Sequence, residues 1–141
     1  MSMEHVHEYV KTVKAIAPAI PSSTAFTATE VVATGGYDRI QFVISTGAIA
    51  ATSTLSCKVQ NSVTSGGTLA DVASAALAAL DSGDAGKIFV IDVPVSNTRP
   101  YYKLAGTAGV STVALSAVAN LYKGTKTGPP DSSFATQLVT V

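Results

Sequence analysis

The chain has no tryptophan, one cysteine, two histidines and few charges of either sign. Each shortage removes a class of protein. Cys57 alone makes no intrachain disulfide, and its place between Leu55 and Val59 in an alternating run suits a small buried apolar residue better than a reactive thiol. His5 and His7, with Glu4 and Glu8 beside them, offer two metal nitrogens near one terminus, and no third histidine or second cysteine completes a site. No metal and no cofactor is expected. Charged residues make up 13%, about half the usual share of a soluble domain, and nine basic side chains balance nine acidic ones. Neither nucleic acid nor an anionic membrane surface therefore has an evident electrostatic reason to bind. No apolar run approaches the roughly 20 residues of a spanning helix, and the start M-S-M-E-H-V-H-E has neither the basic leader nor the apolar core of a secretory signal. The product is expected to be made and kept in cytoplasm unless it is assembled into something that leaves.

Catalytic signatures are missing too. There is no G-x-S-x-G elbow and no G-x-x-x-x-G-K phosphate loop, and Asp38, Asp71 and Asp92 carry no specific signal as acids without geometry. D-S-G-D-A-G at 81–86 has the composition of a calcium loop but not its ligand spacing, so a surface turn is expected. No enzyme is expected.

What the chain has instead is small side chains and period-two alternation. Ala, Ser and Thr supply 54 of the 141 residues, which suits closely packed sheets and surfaces that another protein covers. The clearest strand is 37–45, where Ile40, Phe42 and Ile44 point one way and Arg39, Gln41 and Val43 the other. Gly35-Gly36 before it suggests a hairpin with a strand at 26–33. Further strands are expected at 55–61 with Leu55, Cys57 and Val59 inward, at 87–95 with Phe89, Ile91 and Val93 inward, and at 113–121 with Val113, Leu115, Ala117, Ala119 and Leu121 inward. In 87–95, Ile88 and Val90 imply a strand covered on both faces or lying under another subunit, and Asp92 on the reverse face would need a basic or backbone partner if buried. In R-P-Y-Y-K-L, Tyr102 and Leu104 point inward, Tyr101 and Lys103 outward, and 105–111 turns the chain. The stretch 69–80 carries both a helical spacing of Leu, Val and Ala and a strand alternative at Val72. These elements predict one all-β, antiparallel β-sandwich at 26–123, an N-terminal arm and first connection at 1–25 broken by Pro18 and Pro21, and a C-terminal extension at 124–141 after Pro129-Pro130.

The segments G-G-Y-D-R-I-Q-F-V-I-S-T-G-A-I at 35–49, L-S-C-K-V-Q-N-S at 55–62, L-A-D-V at 69–72 and R-P-Y-Y-K-L at 99–104 occur in an order that resembles small structural proteins of tailed bacteriophages, the capsid cement or decoration family. The resemblance covers roughly residues 26–122. It implies a β-sandwich of jelly-roll topology on the outer capsid surface of the virion, synthesised in host cytoplasm, that binds the major capsid protein as a homo-dimer or homo-trimer and performs no reaction. The candidates for protein contact are Tyr9 in the first arm, Arg99, Tyr101 and Lys103 in the sandwich, and Phe134 and Leu138 in the apolar end of the tail. Two other expectations stay open: a tail-tube, head-completion or fibre-associated virion protein, and a carbohydrate-binding sandwich stacking sugars on Tyr37, Tyr101 and Tyr102.

Overall fold

The computed structural model describes residues 10–20, 31–123 and 137–140. Among these the chain forms nine strands and no α-helix: β1 (Val10–Ala19), β2 (Val32–Ala33), β3 (Arg39–Ile49), β4 (Thr54–Ser62), β5 (Ala70–Ala76), β6 (Ile88–Pro94), β7 (Tyr101–Gly109), β8 (Val113–Tyr122) and β9 (Gln137–Thr140). They build two sheets, ordered β1-β8-β3-β6-β9 and β2-β7-β4-β5, packed as a sandwich. The pairing is nested: β1 lies against β8, β2 against β7, β3 against β6 and β4 against β5, all antiparallel. Only β9 departs from this scheme, running parallel to β6 on its outer edge.

Strand alternation sets the core. Ile40, Phe42 and Ile44 of β3 are fully buried, as are Leu55 and Val59 of β4 and Leu104 of β7. Phe89, Ile91 and Val93 of β6 and all five apolar positions expected to face inward on β8 join the same cluster. Small residues earn their place beside large ones: Phe42 is the register partner of Ala119, and Ile44 that of Ala117. Cys57 sits in this core, where burial pushes its thiol up to about 12, so it stays protonated and unreactive.

Four local expectations are corrected or decided by the fold. β2 and β3 do not form a hairpin, because they belong to different sheets. The segment between them turns the corner of the sandwich, with Gly36 in a left-handed conformation (φ +87°), the Thr34 N–H donating to the Pro100 carbonyl at 3.0 Å and the Asp38 N–H to the Tyr122 carbonyl at 3.0 Å. The first arm, strand-capable by its loose alternation over 1–14, does form a strand in part, since Val10–Ala19 pairs along β8. Pro18 is tolerated there because β1 is an edge strand and the register shifts between Ile16 and Ala19. The turn expected over 105–111 begins later, as β7 continues to Gly109.

The fourth concerns 69–80, where the strand alternative holds and helix propensity is overridden. Ala70 and Asp71 pair with Asn61 and Gln60, and Ser74 then takes a left-handed conformation (φ +62°) that lets the chain slip in register. Beyond the slip, the Leu77 N–H donates to the Cys57 carbonyl at 3.0 Å, and Leu80 and Leu55 exchange both backbone bonds at 2.9 and 3.0 Å. Short pairings along β4 with Ala75, Leu77 and Leu80 buried stabilise more than an isolated short helix of alanines. Residues 81–86 are the expected surface turn, closed by a 3₁₀ turn at Ser82–Asp84 with a capping box between Asp81 and Asp84.

Candidate interaction surfaces

The outer face of the five-stranded sheet is ordered by register into rows. One row runs Lys14, Val118, Val43, Val90, and the next Thr12, Asn120, Gln41, Asp92. Val118 is 40% exposed and Val43 half-buried, whereas Val90 is fully buried although it lies outside the core cluster. The face is therefore covered at β6 and open towards β8. Asp92 is also buried here, 3% exposed, and has found the basic partner its position demands. Arg39 Nε–H donates to Asp92 Oδ1 at 2.8 Å and to the Tyr122 hydroxyl oxygen at 3.2 Å, and the Tyr122 hydroxyl donates to Asp92 Oδ2. The three come from β3, β6 and β8, which are neighbours in the sheet, so the cluster ties its middle together.

Burial, followed by the hydrogen bond and charge of Asp92, pushes the Tyr122 hydroxyl up to about 12. The unfolded chain would release that proton near the ordinary value of 10 while the native state keeps it. The contribution is thus fully present below pH 10 and is lost as pH rises towards 12. Urea titrations of the native chain and Tyr122→Phe across that range are expected to show a steeper alkaline loss in the native chain; equal slopes would contradict this.

The outer face of the four-stranded sheet is polar. Lys58 Nζ and Gln60 Nε2 of β4 both donate to Asp71 of β5, at 2.9 and 2.7 Å, and these bonds hold the exposed Asp71 carboxyl below its usual range. Lys103, the register partner of Gln60, and Tyr101, the partner of Ser62, extend this face across β7, each half-buried. Two of the proposed contact residues therefore share one hydrogen-bonding surface. Arg99 does something else. Its Nε–H donates to Asn61 Oδ1 at 2.8 Å and its Nη2 to the Asn61 carbonyl at 2.9 Å and the Thr68 carbonyl at 3.4 Å, so it pins the β4–β5 turn to the approach of β7. Leu138 lies in β9 as the register partner of Val90. Tyr9 and Phe134, like His5 and His7, lie outside the described residues.

The tyrosines do not form a stacking strip. Tyr102 is in the core, its hydroxyl donating to the Pro94 carbonyl at 3.1 Å and accepting from the Ser96 N–H at 2.9 Å. Tyr37 packs partly against the core with Lys123 Nζ 5.9 Å from its ring centre. Among the described tyrosines, Tyr101 lies on the outer face of the four-stranded sheet and Tyr122 on that of the five-stranded sheet, where its hydroxyl is engaged by Asp92 and Arg39.

A feature the sequence did not signal is the β7–β8 turn. The Ser111 N–H donates to the Gly109 carbonyl at 2.8 Å, closing a three-residue γ-turn with Val110 at its centre in a left-handed conformation (φ +70°). Buried Ser53 clamps it from below, its hydroxyl donating to the Gly109 carbonyl at 2.7 Å and accepting from the Ser111 N–H at 3.3 Å. A β-branched residue held this way is strained, and Val110 is 71% exposed, so its side chain returns little packing. Val110→Gly is expected to raise stability by about 1 kcal/mol, measured as a higher urea midpoint at unchanged m. A lower midpoint would mean that the side chain packs usefully in this turn.

Surface depressions among the described residues include two shallow ones. One, at the β1 end, is lined by Pro18, Ile20, Gly47, Ala114 and their neighbours and contains no ionisable group; the other, beside Ala76 and Gly106, has Lys58 and the protonated thiol of Cys57. Neither brings convergent polar groups together. No group of three metal-binding side chains is found among the described residues, and no helix there is long and apolar enough to cross a membrane. In comparisons with protein-family models and with curated proteins, nothing matches the chain.

Proposed function

We propose that the chain is a non-enzymatic structural protein of a tailed-phage virion, bound to the outer capsid surface, where it cements adjacent major capsid subunits. The observation that carries this reading is where the family-like segments fall. The stretches at 35–49, 55–62, 69–72 and 99–104 lie on β3, β4, the start of β5 and the start of β7, so the resemblance follows the strands of both sheets and not one local motif. The nested pairing of β1 with β8 through β4 with β5 supports a jelly roll, in which a long two-stranded ribbon is folded over on itself.

The surfaces suit adhesion. Net charge is zero, the four-stranded sheet presents a polar outer face, and Tyr101 and Lys103 offer contact area with polar tips. A small domain gains little from one such contact, but copies repeated over a symmetric shell multiply retention. Imaging purified particles tests the proposal directly. Density for the sandwich outside the shell, astride the junctions between capsid subunits, is the expected result; a closed ring at the portal or along the tail would replace it with a tail-tube or head-completion role, and absence from particles would end it.

A further inference from the structure

β4 lies between two neighbours that hold it very differently. With β7 it pairs continuously, from Thr54 against Gly109 to Ser62 against Tyr101. With β5 the pairs are Asn61 with Ala70, Gln60 with Asp71 and Lys58 with Ala76, followed by the bridge from Leu55 to Leu80. Between the second and third of these β4 has one residue, Val59, whereas β5 has residues 72–75, so the chain bulges away from its partner. In that bulge Ser74 is exposed and left-handed at φ +62°, a conformation that favours glycine.

Composition adds little to the hold. Alanine and aspartate are depleted in strands, and the run from Leu69 to Leu80 is rich in the best helix former. The ion pair between Asp71 and Lys58 is exposed on both sides, so water screens it. What fastens the segment is burial, because Ala75, Leu77 and Leu80 enter the core. Cys57 lies against this fastening. It lines one depression with Ala76 and Leu77, and its carbonyl accepts the Leu77 N–H at 3.0 Å. Lifting residues 70–80 turns β4 into the edge of its sheet and bares Cys57, while β3, β6 and β8 keep their ladders in the other sheet.

From a sparse ladder, a strained bulge and a helix-prone sequence, we infer that β5 is a latch: residues 70–80 open as one unit while the rest of the sandwich stays folded, and the strain at Ser74 sets how often. Elements with few buried contacts and an incomplete ladder are the ones that open below the global unfolding free energy. Closed, the chain keeps Cys57 unreactive; open, it presents β4 as a strand-acceptor edge. Such a latch does not depend on the capsid role proposed above.

Cys57 is the chain's one cysteine, so it reports the open state. Purified full-length chain is labelled at pH 8 with a small aromatic disulfide that releases a coloured thiolate, under conditions where the rate tracks the opening equilibrium. Labelling should run at least tenfold faster than global unfolding allows and stay nearly independent of urea well below the midpoint. Ser74→Gly, which relieves the strain, should slow it about fivefold. Arg39→Leu, on the far sheet, should raise global opening more than about a hundredfold and leave labelling unchanged. A rate that climbs with urea at the full slope of unfolding, or that climbs with Arg39→Leu, means that Cys57 is reached by global unfolding and overturns the latch. So does a rate no slower in Ser74→Gly. Should Arg39→Leu fail to fold, the urea dependence of the native chain decides alone.

Discussion

Arg39→Leu is expected to cost about 3 kcal/mol, a fall in Tm of roughly 10 °C for a domain of this size. The loss comes less from the missing contact than from what remains. Asp92 has 5% of its side chain exposed and Arg39 13%, so removing the guanidinium leaves a carboxylate with one hydroxyl donor where water scarcely reaches. The partly open Arg39 side places the figure towards the lower end of the range for broken buried pairs. The sharper form of the prediction is a contrast. Replacing all three together, as Arg39→Leu, Asp92→Leu and Tyr122→Phe, removes the charge along with its partners and should recover most of the loss, because apolar residues of similar volume are often neutral at such sites. Urea denaturation of the single and triple variants decides it. A triple variant no more stable than Arg39→Leu would mean that the cluster's own bonds, and not the orphaned carboxylate, carry the energy.

That cluster shows how far the sequence could be read. Period-two alternation places Asp92 on the reverse face of β6, where burial would demand a basic or backbone partner, since strand parity is a local property. It could not say that the partner is Arg39, because adjacency of β3 and β6 is a fact of topology. The same limit explains the supposed hairpin at Gly35-Gly36: the turn chemistry was legible, but whether a turn joins two strands of one sheet or passes between sheets depends on partners more than sixty residues away, such as Pro100 for Thr34. Alanine-rich 69–80 was ambiguous because its propensity and its pairing point in opposite directions, and the ladder with β4 decides it. Among the proposed contact residues, outward parity correctly set Tyr101 and Lys103 on a face. For Arg99, the residue type suggested an outward contact, and only the folded turn reveals the carbonyls of Asn61 and Thr68 that it serves.

Phe42→Ala is expected to cost about 3–5 kcal/mol. Phe42 is fully buried in the middle strand of the five-stranded sheet, with Ala119 and Ile91 as its partners on either side. Leucine at this position should lose much less, about 1 kcal/mol, because most of the volume is kept. The size of the alanine penalty depends on whether neighbours can close the gap. Here Ala119 and Ala117, the small residues that make room for Phe42 and Ile44, have no side chain to extend into it, and strands β6 and β8 are held at fixed spacing by their ladders with β3. A rescue follows from the same geometry. Register partners on one face have Cβ atoms about 5 Å apart, so Phe42→Ala with Ala119→Phe moves the ring to the adjacent strand at nearly constant volume. The double variant should be more stable than the sum of its two single changes by about 1–2 kcal/mol, read from urea midpoints at unchanged m. Strict additivity would mean that the large-and-small pairing along β3 and β8 is incidental to how this core is filled.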